Sequence, residues 1–212
     1  MSRKRMIKTI FLVCLIATVL ISQLASAYSI IPIEYWYSND SKVGHWTSIP
    51  EITKIKFNDN SSFYFNFGYA NARSQWASAG IQTTDNGSSP SCVIVCFGGT
   101  ASELIALGFV TSGTLNGVNG YTRITDNNLS LDAYLGYNNT QKILYELVPT
   151  IPVFIVDNGS SLSQTSNTFI HEVGHALGWL GHSTQSSDIM YSYGTEITTL
   201  STRDRLHLSR FY

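Results

Sequence analysis

The sequence predicts an α+β domain over residues 28–212. Segments of strand length, apolar or alternating, recur at "ITKIKFN" (52–58), "CVIVCFG" (92–98) and "VFIVD" (153–157). Gly- and Asn-rich stretches punctuate them, and one longer amphipathic helical stripe opens at Leu162. No internal repeat, charge run or low-complexity linker divides this stretch, so one domain is expected.

The first 27 residues stand apart from the fold. Arg3, Lys4, Arg5 and Lys8 precede an apolar run from Ile10 to Ile21, and Ala25-Ser26-Ala27 supplies a small-x-small cleavage site. This is the pattern of a secretion signal cut before Tyr28. The run is about 12 residues long, short of the ~20 that span a bilayer, and no later segment is longer and as apolar. A secreted, extracellular chain with no membrane segment in its mature form is expected. Loss of those four cations takes the net charge from −1 to −5, and no basic patch invites nucleic acid. A monomer is expected.

The elements follow in order. His45 and Trp46 belong to a polar and aromatic lead-in, where His45 reads as a surface or packing residue. "ITKIKFN" alternates as a half-buried strand does. "ANARSQWASAG" (70–80) reads as an Ala-rich helix with Trp76 facing inward and Gly80 as its stop. "CVIVCFG" reads as a buried strand. Cys92 and Cys96 are the two cysteines left after the signal, and an even pair in an exported chain suggests a disulfide. In an extended strand, however, they would lie ~13 Å apart, beyond the ~7 Å reach of a bridge. Both states stay open. Thr100 with Glu103 makes a capping box for a short helix closed by Gly108.

Residues 111–139 read as loops with one or two strands, "YTRIT" (121–125) foremost. Within them, Asp126, Asn127, Asn128 and Asp132 offer the oxygen ligands that a Ca2+ ion takes, but in no recognisable loop order, and a solvated loop is the simpler reading. Six Asn-x-Ser/Thr sequons occur in a chain rich in those residues and carry no inference. "VFIVD" enters after Pro149 and Pro152 and ends in an Asn158-Gly159 turn.

The chemistry sits in "HEVGHALGWLGHSTQSSDIMY" (171–191). Leu162, Phe169, Val173, Ala176, Leu177 and Leu180 recur at helical spacing as one buried stripe. His171 and His175, four apart, stack on the other face, so both imidazoles can point at one centre. Neutral imidazole is a preferred ligand of Zn2+, and two such ligands need a third. Glu172 stands beside that centre without being forced to bind, as a general base toward water requires. Gly178 permits the left-handed stop that lets the chain leave the helix. It then runs through Trp179, Leu180 and Gly181 to His182, the candidate third ligand of one catalytic zinc ion. Met190 follows eight residues later.

These residues resemble the metzincin clan of zinc endopeptidases and, within it, the matrixins. That pattern is H-E-x-x-H-x-x-G-x-x-H followed by a tight turn bearing a methionine beneath the metal. His171, Glu172, His175 and Gly178 match place by place, His182-Ser183 resembles the third ligand, and Met190-Tyr191 resembles the methionine turn. One additional residue separates Gly178 from His182, and Gly181 offers a positive-φ position at which to loop it out. "LSTRDRLHLSRFY" (200–212) is similar to the closing helix of matrixins. The resemblance implies a zincin-like catalytic domain: a twisted mixed β-sheet, an active-site helix and a C-terminal helix. It implies a zinc metalloendopeptidase acting on protein or peptide substrates, with Glu172 as general base, His171, His175 and His182 on the metal and Met190 in the structural turn. Ser192 occupies the place where some metzincins carry an oxyanion-binding tyrosine, so neither Tyr191 nor Tyr193 inherits that role.

Two other readings compete. A gluzincin would replace the third histidine by a downstream glutamate, and Glu196 is the nearby candidate, but "GTEITTL" is poor helix context. A secreted zinc-containing binding protein would have no use for Glu172 and would close its metal with a fourth ligand. His207 is read as a surface residue.

Overall fold

The computed structural model describes residues 42–57, 62–87, 93–137 and 140–212. The expected signal segment, Cys92 and the sequons at Asn39, Asn60 and Asn138 lie outside them.

Five strands make the main sheet: β2 (Glu51–Lys56), β3 (Thr84–Asp85), β4 (Ile94–Gly99), β5 (Gly120–Thr122) and β8 (Ile151–Val156). Their order is β3-β2-β4-β8-β5, with β5 antiparallel to β8 and the other pairs parallel. All six residues of β8 are buried, as expected of a strand covered on both faces. The second sheet joins β1 (Lys42–His45) to the β6 (Leu129–Tyr137) and β7 (Thr140–Leu147) hairpin. The one or two strands expected within 111–139 are thus found, as β5 and β6. That stretch also holds a short helix, and β7, the partner of β6, lies in residues that carry no strong alternation.

Among the described residues five α-helices complete the α+β fold: α1 (Ser62–Ser78), α2 (Ala101–Ala106), α3 (Ser112–Leu115), α4 (Leu162–Ala176) and α5 (Thr202–Leu208). The Thr100/Glu103 capping box forms, and Gly108 takes φ 77. α2 and α3 pack with Leu104, Val110, Leu115 and Phe154 against Phe97 of β4. Gly98, the next residue, faces the other way, where a Cβ would meet the Phe65 ring of α1 at 2.2 Å. Helices thus cover both faces of the sheet.

α1 begins eight residues before the predicted stretch. Gly68 and the aromatics ahead of it are weak helix formers, and packing overrides them. Phe65 and Tyr69 stand edge-on to Phe169 of α4, Gly68 leaves room for that same ring, and the Trp76 Nε1 donates to Ile170 O at 2.9 Å. α1 is the platform that fixes α4.

Cys96 is unbridged and buried in β4. Burial pushes its thiol far up. His207 is buried rather than on the surface, its ring 3.9 Å from that of Trp179. The turn after α4 swings Trp179 onto the face of α5 that a short polar helix would otherwise show to water. No helix among the described residues is long and apolar enough to cross a membrane.

Candidate metal centre

α4 starts at Ser161, whose hydroxyl accepts from Gln164 N while the Gln164 side chain accepts from Ser161 N. Phe169, Val173, Ala176 and Leu177 are fully buried, as their spacing predicts, whereas Leu180 leaves the stripe to line the cleft. At the far end, Trp46 Nε1 donates to Ala176 O and Tyr212 Oη to Leu177 O, so carbonyls the helix cannot satisfy find donors. Gly178 then takes φ 117 with Gly44 against it. A Cβ there would lie 2.0 Å from Gly44 O, so no other residue fits. The redirection occurs here, as the sequence predicts, and Gly181 takes no positive φ.

This turn carries His182 back over the helix. Its ring centroid lies 5.2 Å from that of His171 and 5.0 Å from that of His175, and the two helical rings are 4.7 Å apart. The three histidines offer nitrogens all within 4.8 Å of one another, and no other group of three His, Cys, Asp or Glu converges among the described residues. The additional residue before His182 is absorbed in the turn. Glu196, the alternative ligand, is exposed and lies outside the group.

The donor set suits zinc. Nδ1 of His171 is 2.8 Å from Ile189 O and Nδ1 of His175 is 2.5 Å from Trp179 O. A carbonyl can only accept, so each Nδ1 carries the proton and each Nε2 presents a lone pair. Those Nε2 atoms are 3.0 Å apart, close to the ~3.3 Å that two ligands at 2.0–2.1 Å subtend around a tetrahedral zinc. Burial, the largest cause, pushes His171 down to about 4 and His175 well below its ordinary value. His182 is also lowered by burial. Near neutral pH all three imidazoles are thus uncharged, as metal ligation needs.

Glu172 points to the β5 side. It is buried, and burial raises its carboxyl to about 7 against the hydrogen bonds from Thr122. Thr122 Oγ1 lies 2.7 Å from Glu172 Oε2 and 2.8 Å from Glu172 O. The histidines and Glu172 line a cleft of about 810 Å³, walled by Gly120, Tyr121, Thr122, Leu180, Tyr191 and Tyr193 among others.

Met190 is fully buried beneath α4. Two carboxylates hold its turn. Asp204 of α5 accepts from Ile189 N at 2.9 Å, Met190 N at 3.3 Å and Ser201 N at 2.9 Å. Asp188 accepts from Ser183 Oγ and, through two nitrogens, from Arg203. Ser183 N, next to His182, donates to Met190 O at 2.6 Å. The loop bearing the third histidine and the methionine turn are thus tied to each other and to α5. Thr122, Asp188, Arg203 and Asp204 escape sequence reading because no spacing links them to "HEVGH". The one available hint is Ser201 with Asp204, a capping-box pattern at the start of α5.

His45 Nε2 pairs with Asp132 at 2.8 Å. Asn128 of the proposed calcium cluster is buried, its amide nitrogen donating to Val148 O and Thr150 O.

No curated protein sequence matches the chain. Among solved structures, two of myroilysin are similar. One aligns at 12% identity over 85% of this chain and 83% of that one, with a TM-score of 0.41. The other aligns at 14% identity over 86% and 88%, with a TM-score of 0.39. The family model described as Matrixin matches residues 45–212, which includes every element of the centre, and the chain therefore belongs to the matrixin family of metallopeptidases.

Proposed function

We propose that this domain is an exported, zinc-dependent endopeptidase. The observation that carries the reading is the convergence of three imidazoles, with one buried carboxylate beside them, in one open cleft. His171, His175 and His182 would hold one zinc ion. When bound, zinc supplies Lewis acidity, which polarises a peptide carbonyl and makes water ionisable near neutral pH.

The chain's own residues do the rest. Glu172 takes a proton from the attacking water on its carboxylate and returns it to the departing amide nitrogen. A carboxyl raised to about 7 is suited to both transfers. Among the described residues β5 is the last strand of its sheet, so its outer edge is where an extended peptide lying in the cleft would pair. Tyr191 and Tyr193 wall that cleft, and Met190 supports the centre from below. The basic and apolar leader of residues 1–27 supports export.

The test is zinc content together with casein cleavage. Wild-type protein should hold one zinc per chain and cleave casein, and Glu172→Ala should keep the zinc and lose cleavage by 10²–10⁴-fold. Cleavage surviving Glu172→Ala, or a zinc-loaded wild type that cleaves nothing, would overturn the reading.

A further inference from the structure

The carboxylate of Glu172 is held by β5 as well as by its own helix. Thr122 Oγ1 stands 2.7 Å from Oε2 and 2.8 Å from the same residue's backbone oxygen. A carboxylate can only accept, so the hydroxyl donates to it, with the backbone oxygen as its second acceptor. Two places along the strand and on the same face, Gly120 leaves the space the side chain fills. A Cβ at Gly120 would lie 2.8 Å from Glu172 Cγ and 3.1 Å from Oε1. The strand thus makes the two carboxylate oxygens inequivalent: Oε2 is engaged by Thr122 and Oε1 packs over bare backbone.

We propose that Thr122 is the positioning residue of Glu172, holding Oε2 so that Oε1 is the oxygen that takes and returns the proton. The inference rests on the protease reading and deepens it. When Oε1 carries the proton, Oε2 is the carbonyl oxygen and still accepts from Thr122, so one hydroxyl keeps one rotamer through both halves of the cycle. Because the same three-residue strand offers its outer edge to the substrate, the scissile bond and the base share a single support. Misplacement of a base by less than its own bond length is costly, since the geometry of proton transfer admits little slack.

The experiment compares Thr122→Val and Thr122→Ser with wild type, all zinc-loaded, on one fluorogenic peptide long enough to span the cleft. Valine matches threonine in shape and suits a strand, so the domain should fold. Zinc affinity, read by chelator competition, should stay within about twofold of wild type in both variants, because the Thr122 hydroxyl bonds to Glu172 and to none of the histidines. For Thr122→Val, kcat should fall about 10- to 100-fold, the worth of one hydrogen bond to a charged group, with KM within about twofold. Thr122→Ser, which keeps the hydroxyl, should recover most of kcat. A valine variant as fast as wild type overturns the proposal, and so does a serine variant as slow as valine, or a loss carried by KM. A wild type that holds zinc but cleaves no peptide defeats the protease reading first. The two failures are distinguishable because the proposal fails alone only when wild type is active.

Discussion

Gly174 lies directly over Met190: a β-carbon at Gly174 would stand 2.5 Å from the Met190 Sδ and 2.6 Å from Trp76 Cζ2. The second variable position of "HEVGH" is therefore the point where α1, the ligand helix and the methionine turn meet. Gly174→Ala should gain up to ~1 kcal/mol in helix propensity and lose about 1–3 kcal/mol to overpacking. A net loss of stability in urea denaturation is expected, since Trp76 and Met190 are both fully buried and have nowhere to yield. A stabilised variant would show that the contact is loose.

His182 arrives at the centre from a loop, and its two ring neighbours come from the helix. His182→Ala should weaken zinc binding by more than the 10–100-fold that loss of a supporting residue costs. Chelator competition decides it, and an unchanged affinity would remove His182 from the ligand set.

Asp204 satisfies two amides of the methionine turn, and Ile189, whose amide it takes, offers its carbonyl to His171. Asp204→Ala leaves buried N–H groups without acceptors at ~1–3 kcal/mol each. Thermal unfolding should therefore fall by several degrees, and zinc affinity should drop about 10–100-fold through the loosened His171. Full zinc affinity in a destabilised variant would confine Asp204 to a role in the fold.

Glu172 makes the metal-free domain sensitive to pH. Burial raises its carboxyl from 4.5 to about 7, so between those values the folded state keeps a proton that the unfolded chain has lost. Its contribution is full below pH 4.5 and is lost as pH rises to about 7, by roughly 3 kcal/mol. His171, lowered from 6.5 to about 4, acts in the opposite sense, its contribution full above 6.5 and lost as pH falls. Glu172→Gln removes the first dependence and keeps the second. In excess chelator, the stability of the variant relative to wild type should rise by roughly 3 kcal/mol from pH 4.5 to pH 7.5. A difference that does not change with pH would mean that Glu172 is ionised throughout.

Much of the centre was legible beforehand because its signals are local. His171 and His175 share a helical face by spacing alone, Phe169 and Val173 mark the opposite face, and Gly178 announces the end of the helix. The central strands were visible as apolar runs for the same reason. α1 was legible only in its second half, since Gly68 and its neighbouring aromatics are held helical by the Phe169 ring and by nothing in their own sequence. The β7 strand was hidden because "TQKILYEL" lacks a clean alternation, whereas its partner β6 alternates Leu129, Leu131, Ala133 and Leu135 with smaller or polar residues inside the stretch read as loops with one or two strands.

Spacing within a few residues announces the helix bearing His171 and His175, the shared face of those two imidazoles and the central strands β2, β4 and β8. Tertiary structure alone decided whether His182 reaches the other two imidazoles, because that depends on Gly178 lying against Gly44 and on the Ser183–Asp188–Arg203 contacts. It also decided that Thr122, fifty residues before Glu172, holds the carboxylate, and that His207 is buried under Trp179. Most of these contacts join residues far apart in the chain, so no local spacing announces them.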